Sequence, residues 1–94
     1  MTIEVRVTAV LQKHTGGQKV LSADGTTIGE VLTDMDARFP GFKSQVTDDD
    51  GSLKRFVNIY LNDEDVRYLG KLETPLAQGD VVSILPALAG GALR

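Results

Sequence analysis

One stretch restricts the fold more than any other. Ile28, Val31, Leu32, Met35 and Phe39 recur at helical spacing and form a single apolar stripe. Thr27 and Glu30 fit a capping box, in which each side chain satisfies an orphan N–H at the helix start. Pro40-Gly41 ends the segment. Met35 and Phe39 are therefore expected in a core, and the stripe needs a sheet to cover it.

The flanking segments supply that sheet. Between Met1 and Leu11, the residues Ile3, Val5, Val7, Ala9 and Leu11 alternate with Thr2, Glu4, Arg6 and Thr8, the pattern of a half-buried strand. His14-Thr15-Gly16-Gly17-Gln18 breaks it, and Lys19–Ala23 reads as the returning strand of a hairpin. Residues 42–54 read as irregular and polar. Phe56–Leu61 is the next strand, with Val57, Ile59 and Leu61 facing the helix. Residues 64–68 fit a short strand, and 69–76 a connection holding one helical turn. Asp80–Leu85 is the last strand, with Val82 and Ile84 inward and Val81, Ser83 and Leu85 outward. The order β-β-α-β-(β)-β places two hairpins around one helix, with the first and last strands side by side. This is the α+β, ubiquitin-like β-grasp arrangement: a curved mixed sheet of four to five strands on one main helix. Residues 1–86 are read as that domain and 87–94 as a flexible tail.

Composition removes several functions. Ninety-four residues, 41% hydrophobic and 24% charged, suit one domain. A net charge of -3 argues against nucleic acid as a partner, because phosphate binding needs clustered Lys and Arg. No apolar run approaches a membrane span of about 20 residues, and the alternating N-terminus lacks a signal-peptide core. A cytoplasmic location is the expectation. The absence of cysteine excludes disulfides, thiolate metal sites and a thiol nucleophile. The single histidine, His14, sits beside a turn with no evident partner. Asp48-Asp49-Asp50-Gly51 lacks the alternate ligand spacing and distal Glu of a calcium loop, so no metal site is expected.

What remains is the end of the chain. Pro86 has no N–H and should stop the ladder. Ala87-Leu88-Ala89-Gly90-Gly91 then tapers to small residues, which suits threading into a narrow channel as well as simple fraying. Extended, Ala87–Gly91 spans about 16 Å, at about 3.3 Å per residue.

A β-grasp chain ending near Gly-Gly resembles the ubiquitin-like sulfur carriers of the ThiS/MoaD family. The resemblance rests on Thr27–Leu32, Val57–Asn62, Gln78–Pro86 and Ala89-Gly90-Gly91. The run Arg55–Arg67, the turn Thr15–Gln18 and Leu85–Gly91 are similar to the actinobacterial subgroup that serves cysteine synthesis. The resemblance implies a protein cosubstrate with no bound cofactor, not an enzyme. An E1-like (ThiF/MoeB-type) adenylyltransferase would use ATP to activate the Gly91 carboxylate, and a sulfur donor would convert it to a thiocarboxylate. A sulfur-accepting synthase, PLP-dependent in the cysteine case, would consume it. Thiamine thiazole or molybdopterin formation uses the same chemistry, the latter through the small subunit of a synthase. A passive ubiquitin-like interaction module is the alternative of another class. Ala92-Leu93-Arg94 follows Gly91 and locks its carboxyl in a peptide bond. The family pattern then implies cleavage between Gly91 and Ala92 by a JAMM-type metalloprotease. Leu88, Ala89 and Gly90 would form the threaded tail, and Thr8, Tyr60 and Leu85 a docking patch beside it. Asp63, Glu64 and Asp65 would steer a basic partner or form a solvated face.

Overall fold

A computed structural model describes residues 2–86. Their order is β1 (Thr2–Val7), α1 (Ala9–Gln12), β2 (Val20–Asp24), α2 (Ile28–Arg38), α3 (Phe42–Val46), β3 (Val57–Leu61), β4 (Glu64–Asp65) and β5 (Val81–Pro86). Short 3-10 turns at Val66–Tyr68 and Lys71–Glu73 fill the connection before β5. The sheet order is β2-β1-β5-β3-β4. β1 and β5 run parallel in the middle, from Glu4–Val81 to Val7–Ile84, and the other pairs are antiparallel.

The alternation of β1 sends Ile3, Val5 and Val7 into the core, where they meet Val82 and Ile84 of β5 and Val57 and Ile59 of β3. Ile28, Val31, Leu32 and Met35 are fully buried beneath them. Each such side chain contributes about 1.5–3 kcal/mol of burial. The helix cap differs from the expected box by one residue. Thr27 Oγ1 accepts from Glu30 N–H at 3.2 Å, but the Glu30 carboxylate returns to Thr26, accepting its N–H and hydroxyl at 2.8 Å each.

Several expected boundaries move. β1 stops at Val7, and Leu11 reaches the core from α1. Val7 and Leu11 are four residues apart, a spacing that serves strand parity and a helical turn equally. Phe39 is the C-cap of α2 and only half-buried. The segment expected to be irregular contains α3, whose Phe42 and Val46 are fully buried at i and i+4. Gly41, at φ 97°, reverses the chain so that α3 can start. Two apolar residues are too few to display a period, which is why this helix escapes pattern reading. Phe56 precedes β3 and is exposed, and Leu61 is half-buried. The strand expected at 64–68 is two residues long and then becomes a 3-10 turn. Val66 and Leu76 bring two further core side chains from this connection. It is pinned to the helix start where Ile28 N–H donates to Thr74 O and Leu76 N–H to Thr26 O.

Candidate functional site

β5 occupies the centre of the sheet. Val82 and Ile84 point inward and are fully buried, Val81 and Ser83 are half-buried, and Leu85 is exposed on the outer face. The last rung pairs Pro86 with Val57. The chain therefore continues from the central strand of the sheet, with β3 still paired at Pro86 on one side and the β1 ladder closing at Ile84 on the other. Leu88, Ala89, Gly90, Gly91 and Ala92 lie outside the described residues.

On the outer face, Arg6, Ser83, Tyr60 and Asp65 form one cross-strand row, and Leu85 stands opposite Asn58. Tyr60, Asp63, Ser83 and Leu85 line a depression of about 310 Å³. A second, of about 210 Å³, is lined by Arg6, Asn62, Asp63, Val81 and Ser83. The first, a shallow trough, shares Asp63 and Ser83 with the second. Arg6 is paired with Glu4. The trough offers an aromatic ring, a leucine and a carboxylate, the makings of a docking surface. Tyr60 and Leu85 are thus brought together. Thr8 lines neither depression. It is the N-cap of α1, half-buried, and its hydroxyl is sealed with no hydrogen-bond partner among the described residues. Among the described residues no group of three His, Cys, Asp or Glu side chains is placed to hold a metal ion, and no helix is long and apolar enough to cross a membrane.

Two polar networks fix the ends of β5. At its start, Asp80 accepts the Ala77 N–H at 2.8 Å and the Asn62 amide at 3.0 Å. These two donors, the backbone one first, hold the Asp80 carboxyl below its ordinary value. The other lowered carboxyls are surface turns: Glu30 through Thr26 and Asp50 through Ser52. At the far end, the Arg67 guanidinium donates to the carbonyls of Val57 at 2.6 Å, Lys54 at 2.8 Å and Arg55 at 3.3 Å, and to Asn58 Oδ1 at 2.9 Å. It braces the start of β3, the strand that pairs with Leu85 and Pro86. Sequence reasoning missed Arg67, because its acceptors are mostly carbonyls nine to thirteen residues away and no local pattern announces them.

A single main helix under a mixed sheet, with parallel first and last strands at its centre, defines a ubiquitin-like β-grasp protein. The chain belongs to the ThiS family, whose model matches residues 5–91. It is 50% identical over 93 residues to the sulfur carrier protein CysO of Mycobacterium tuberculosis, covering 97% of this chain and all of that one. The crystal structure of that CysO superposes with a TM-score of 0.87 at 49% identity, covering 92% of this chain and 99% of the other. A chain in the crystal structure of the Amycolatopsis orientalis BexX/CysO complex gives 0.89 at 43% identity, covering 95% and 99%.

Proposed function

We propose that this protein is a sulfur carrier whose working group is the carboxyl of Gly91, exposed by removal of Ala92-Leu93-Arg94. One observation carries the reading: a two-sided central strand ends at Pro86 and leads into a glycine-terminated segment, and the family match closes at Gly91. The three residues beyond it fall outside that match, which supports their role as a removable extension.

The chemistry follows from the weakness of a carboxylate as an electrophile. The Gly91 carboxylate attacks the α-phosphorus of ATP on an E1-like adenylyltransferase, and pyrophosphate leaves. A sulfide-level donor then adds to the acyl carbon, AMP departs, and a thiocarboxylate remains. That anion is nucleophilic at neutral pH. Glycine at positions 90 and 91 lets the backbone pass close to an enzyme's walls, where a Cβ would obstruct it. The body contributes rigidity and recognition and acts as a cosubstrate. Similarity to CysO supports cysteine formation through a PLP-dependent synthase as the sulfur sink, with a JAMM-type metalloprotease as the trimming enzyme. The BexX/CysO complex of the Amycolatopsis relative supports work through partner proteins, and a specialised metabolite is the other sink consistent with it.

The test is direct. Protein ending at Gly91 is incubated with an E1-like adenylyltransferase, ATP and sulfide, and its intact mass is measured. The expected product is heavier by the exchange of one oxygen for sulfur, and the 1–94 form is unchanged until cut. No mass gain by the trimmed form defines a passive interaction module and overturns the proposal. Equal gain by the uncut form overturns the precursor step.

A further inference from the structure

Among the described residues, three of the large exposed hydrophobics gather at the same end of the sheet as Pro86. Phe56 is 64% exposed, Tyr68 88% and Leu69 42%. Phe56 immediately precedes Val57, the partner of Pro86 in the last rung. β4 runs antiparallel to β3, with Leu61 opposite Glu64 and Tyr60 opposite Asp65. The chain continuing from Asp65 therefore returns toward the Val57 end and brings Tyr68 and Leu69 with it. Arg67 ties the two segments together through its bonds to the carbonyls of Lys54, Arg55 and Val57. Arg55 lies over the Phe56 ring, 5.3 Å from its centroid, a cation–π contact that favours this placement of the two side chains.

We infer that Arg55, Phe56, Tyr68 and Leu69 form a second docking surface, separate from the Tyr60–Leu85 trough, for the enzyme that adenylates Gly91. This inference rests on the sulfur-carrier reading above. Two observations select the occupant. The first is reach: from Pro86 to Gly91 the chain spans at most about 16 Å. An enzyme that holds Gly91 at ATP must therefore bring its surface within about 16 Å of Pro86, and Phe56, next to the Val57 that pairs with Pro86, stands inside that range. The second is charge. Residues 52–57 carry Lys54 and Arg55 and no carboxylate, and residues 66–72 carry Arg67 and Lys71 and no carboxylate, in a chain of net charge -3. The neighbouring Asp65 carboxylate accepts the Arg67 backbone N–H. The complementary surface is an apolar recess rimmed by Asp and Glu. Exposed aromatic and arginine side chains at a preorganised site are the groups that carry interface energy.

The experiment measures thiocarboxylate formation by the trimmed protein with the E1-like adenylyltransferase, ATP and sulfide, as a function of carrier concentration. Phe56→Ser combined with Tyr68→Ser removes exposed side chains only, and circular dichroism checks that the fold is kept. The expected result is a KM at least tenfold higher with kcat within twofold. Arg55→Glu should also raise KM and should flatten its dependence on salt. A KM within twofold of the parent for both variants overturns the inference while leaving the carrier reading intact. A parent protein that gains no sulfur overturns both. Sedimentation supplies the remaining arm: a dimer of the parent that the double variant dissolves assigns the surface to a second copy of this chain and overturns the inference.

Discussion

Asn62 and Val81 exchange two hydrogen bonds without being a strand pair. Val81 N–H donates to the Asn62 side-chain carbonyl at 3.0 Å, and Asn62 N–H donates to the Val81 carbonyl at 2.9 Å. The side chain of a turn residue thus supplies one rung that the ladder between β3 and β5 would otherwise lack. Asn62 sits at φ 48°, a left-handed conformation that asparagine tolerates better than most residues.

Asn62→Ala removes the amide and keeps the unfavourable φ. The expected loss is about 2–4 kcal/mol, combining the two side-chain hydrogen bonds, one from Val81 N–H and one to Asp80, with the backbone penalty. Asn62→Gly relieves the backbone term and should lose less. Urea unfolding, with an unchanged m-value, measures the difference.

Asp80 makes the start of β5 sensitive to acid. Its carboxyl is lowered in the folded state by the Ala77 N–H and then by the Asn62 amide. A lowered folded pKa means stability that is fully present above the unfolded carboxyl value, about 3.9, and is lost as pH falls through the folded value. Wild-type stability should therefore hold from neutral pH to about pH 5 and decline below it. Asp80→Asn should be less stable at pH 7 and should approach the parent at pH 2. Parallel curves for the two proteins would contradict the assignment.

Arg67 braces the strand beside the departure point of the tail. Arg67→Met keeps a long apolar stem and loses every bond of the fork. A cost of about 2–3 kcal/mol follows from charged hydrogen bonds to a partly buried group. Arg67→Lys should recover less than half, because an ammonium cannot reproduce the planar fork. Chemical denaturation measures both, and hydrogen exchange at Val57 and Asn58 should quicken in the Met variant.

Gly25 lies against the first turn of α2. A Cβ there would stand 2.8 Å from Val31 N and 2.9 Å from Glu30 Cβ. Backbone cannot yield as a side-chain tip would, so Gly25→Ala should cost about 1–3 kcal/mol. For a domain of this size each kcal/mol lowers Tm by about 4–8 °C. Gly17→Ala is a useful contrast: nothing lies within 4 Å of its Cβ, and only the φ of 84° opposes the change.

Gly91→Ala in the trimmed protein should leave Tm unchanged and slow sulfur transfer, because the added methyl narrows passage of the tail through its enzyme. Equal initial rates in the mass assay would remove the channel argument.

The fold was legible where a periodic pattern met a sheet of known parity. The α2 stripe, the alternation of β1 and the inward pair Val82 and Ile84 located the core and implied the central β1–β5 pairing. The misreadings share one cause, the brevity of the elements. Phe42 and Val46 form a single i, i+4 pair, Leu11 satisfies two periods at once, and β4 is only two residues long. Glu30 was rightly placed at the helix start, but its partner, Thr26, depends on the exact entry path of the chain. Tyr60 and Leu85 could be paired from strand parity alone. Arg67 and Asn62 could not, because their bonds join segments whose approach is set by the completed sheet.

The parallel β1–β5 ladder also bears on how the body behaves under load. A pull on residues beyond Pro86 acts along the axis of a strand clamped on both flanks, by Glu4–Val7 on one side and Val57–Leu61 on the other. Such a force shears many bonds together and cannot unzip them one by one. The body should therefore withstand tension on its C-terminal side better than tension that peels β2 or β4 from the edges of the sheet.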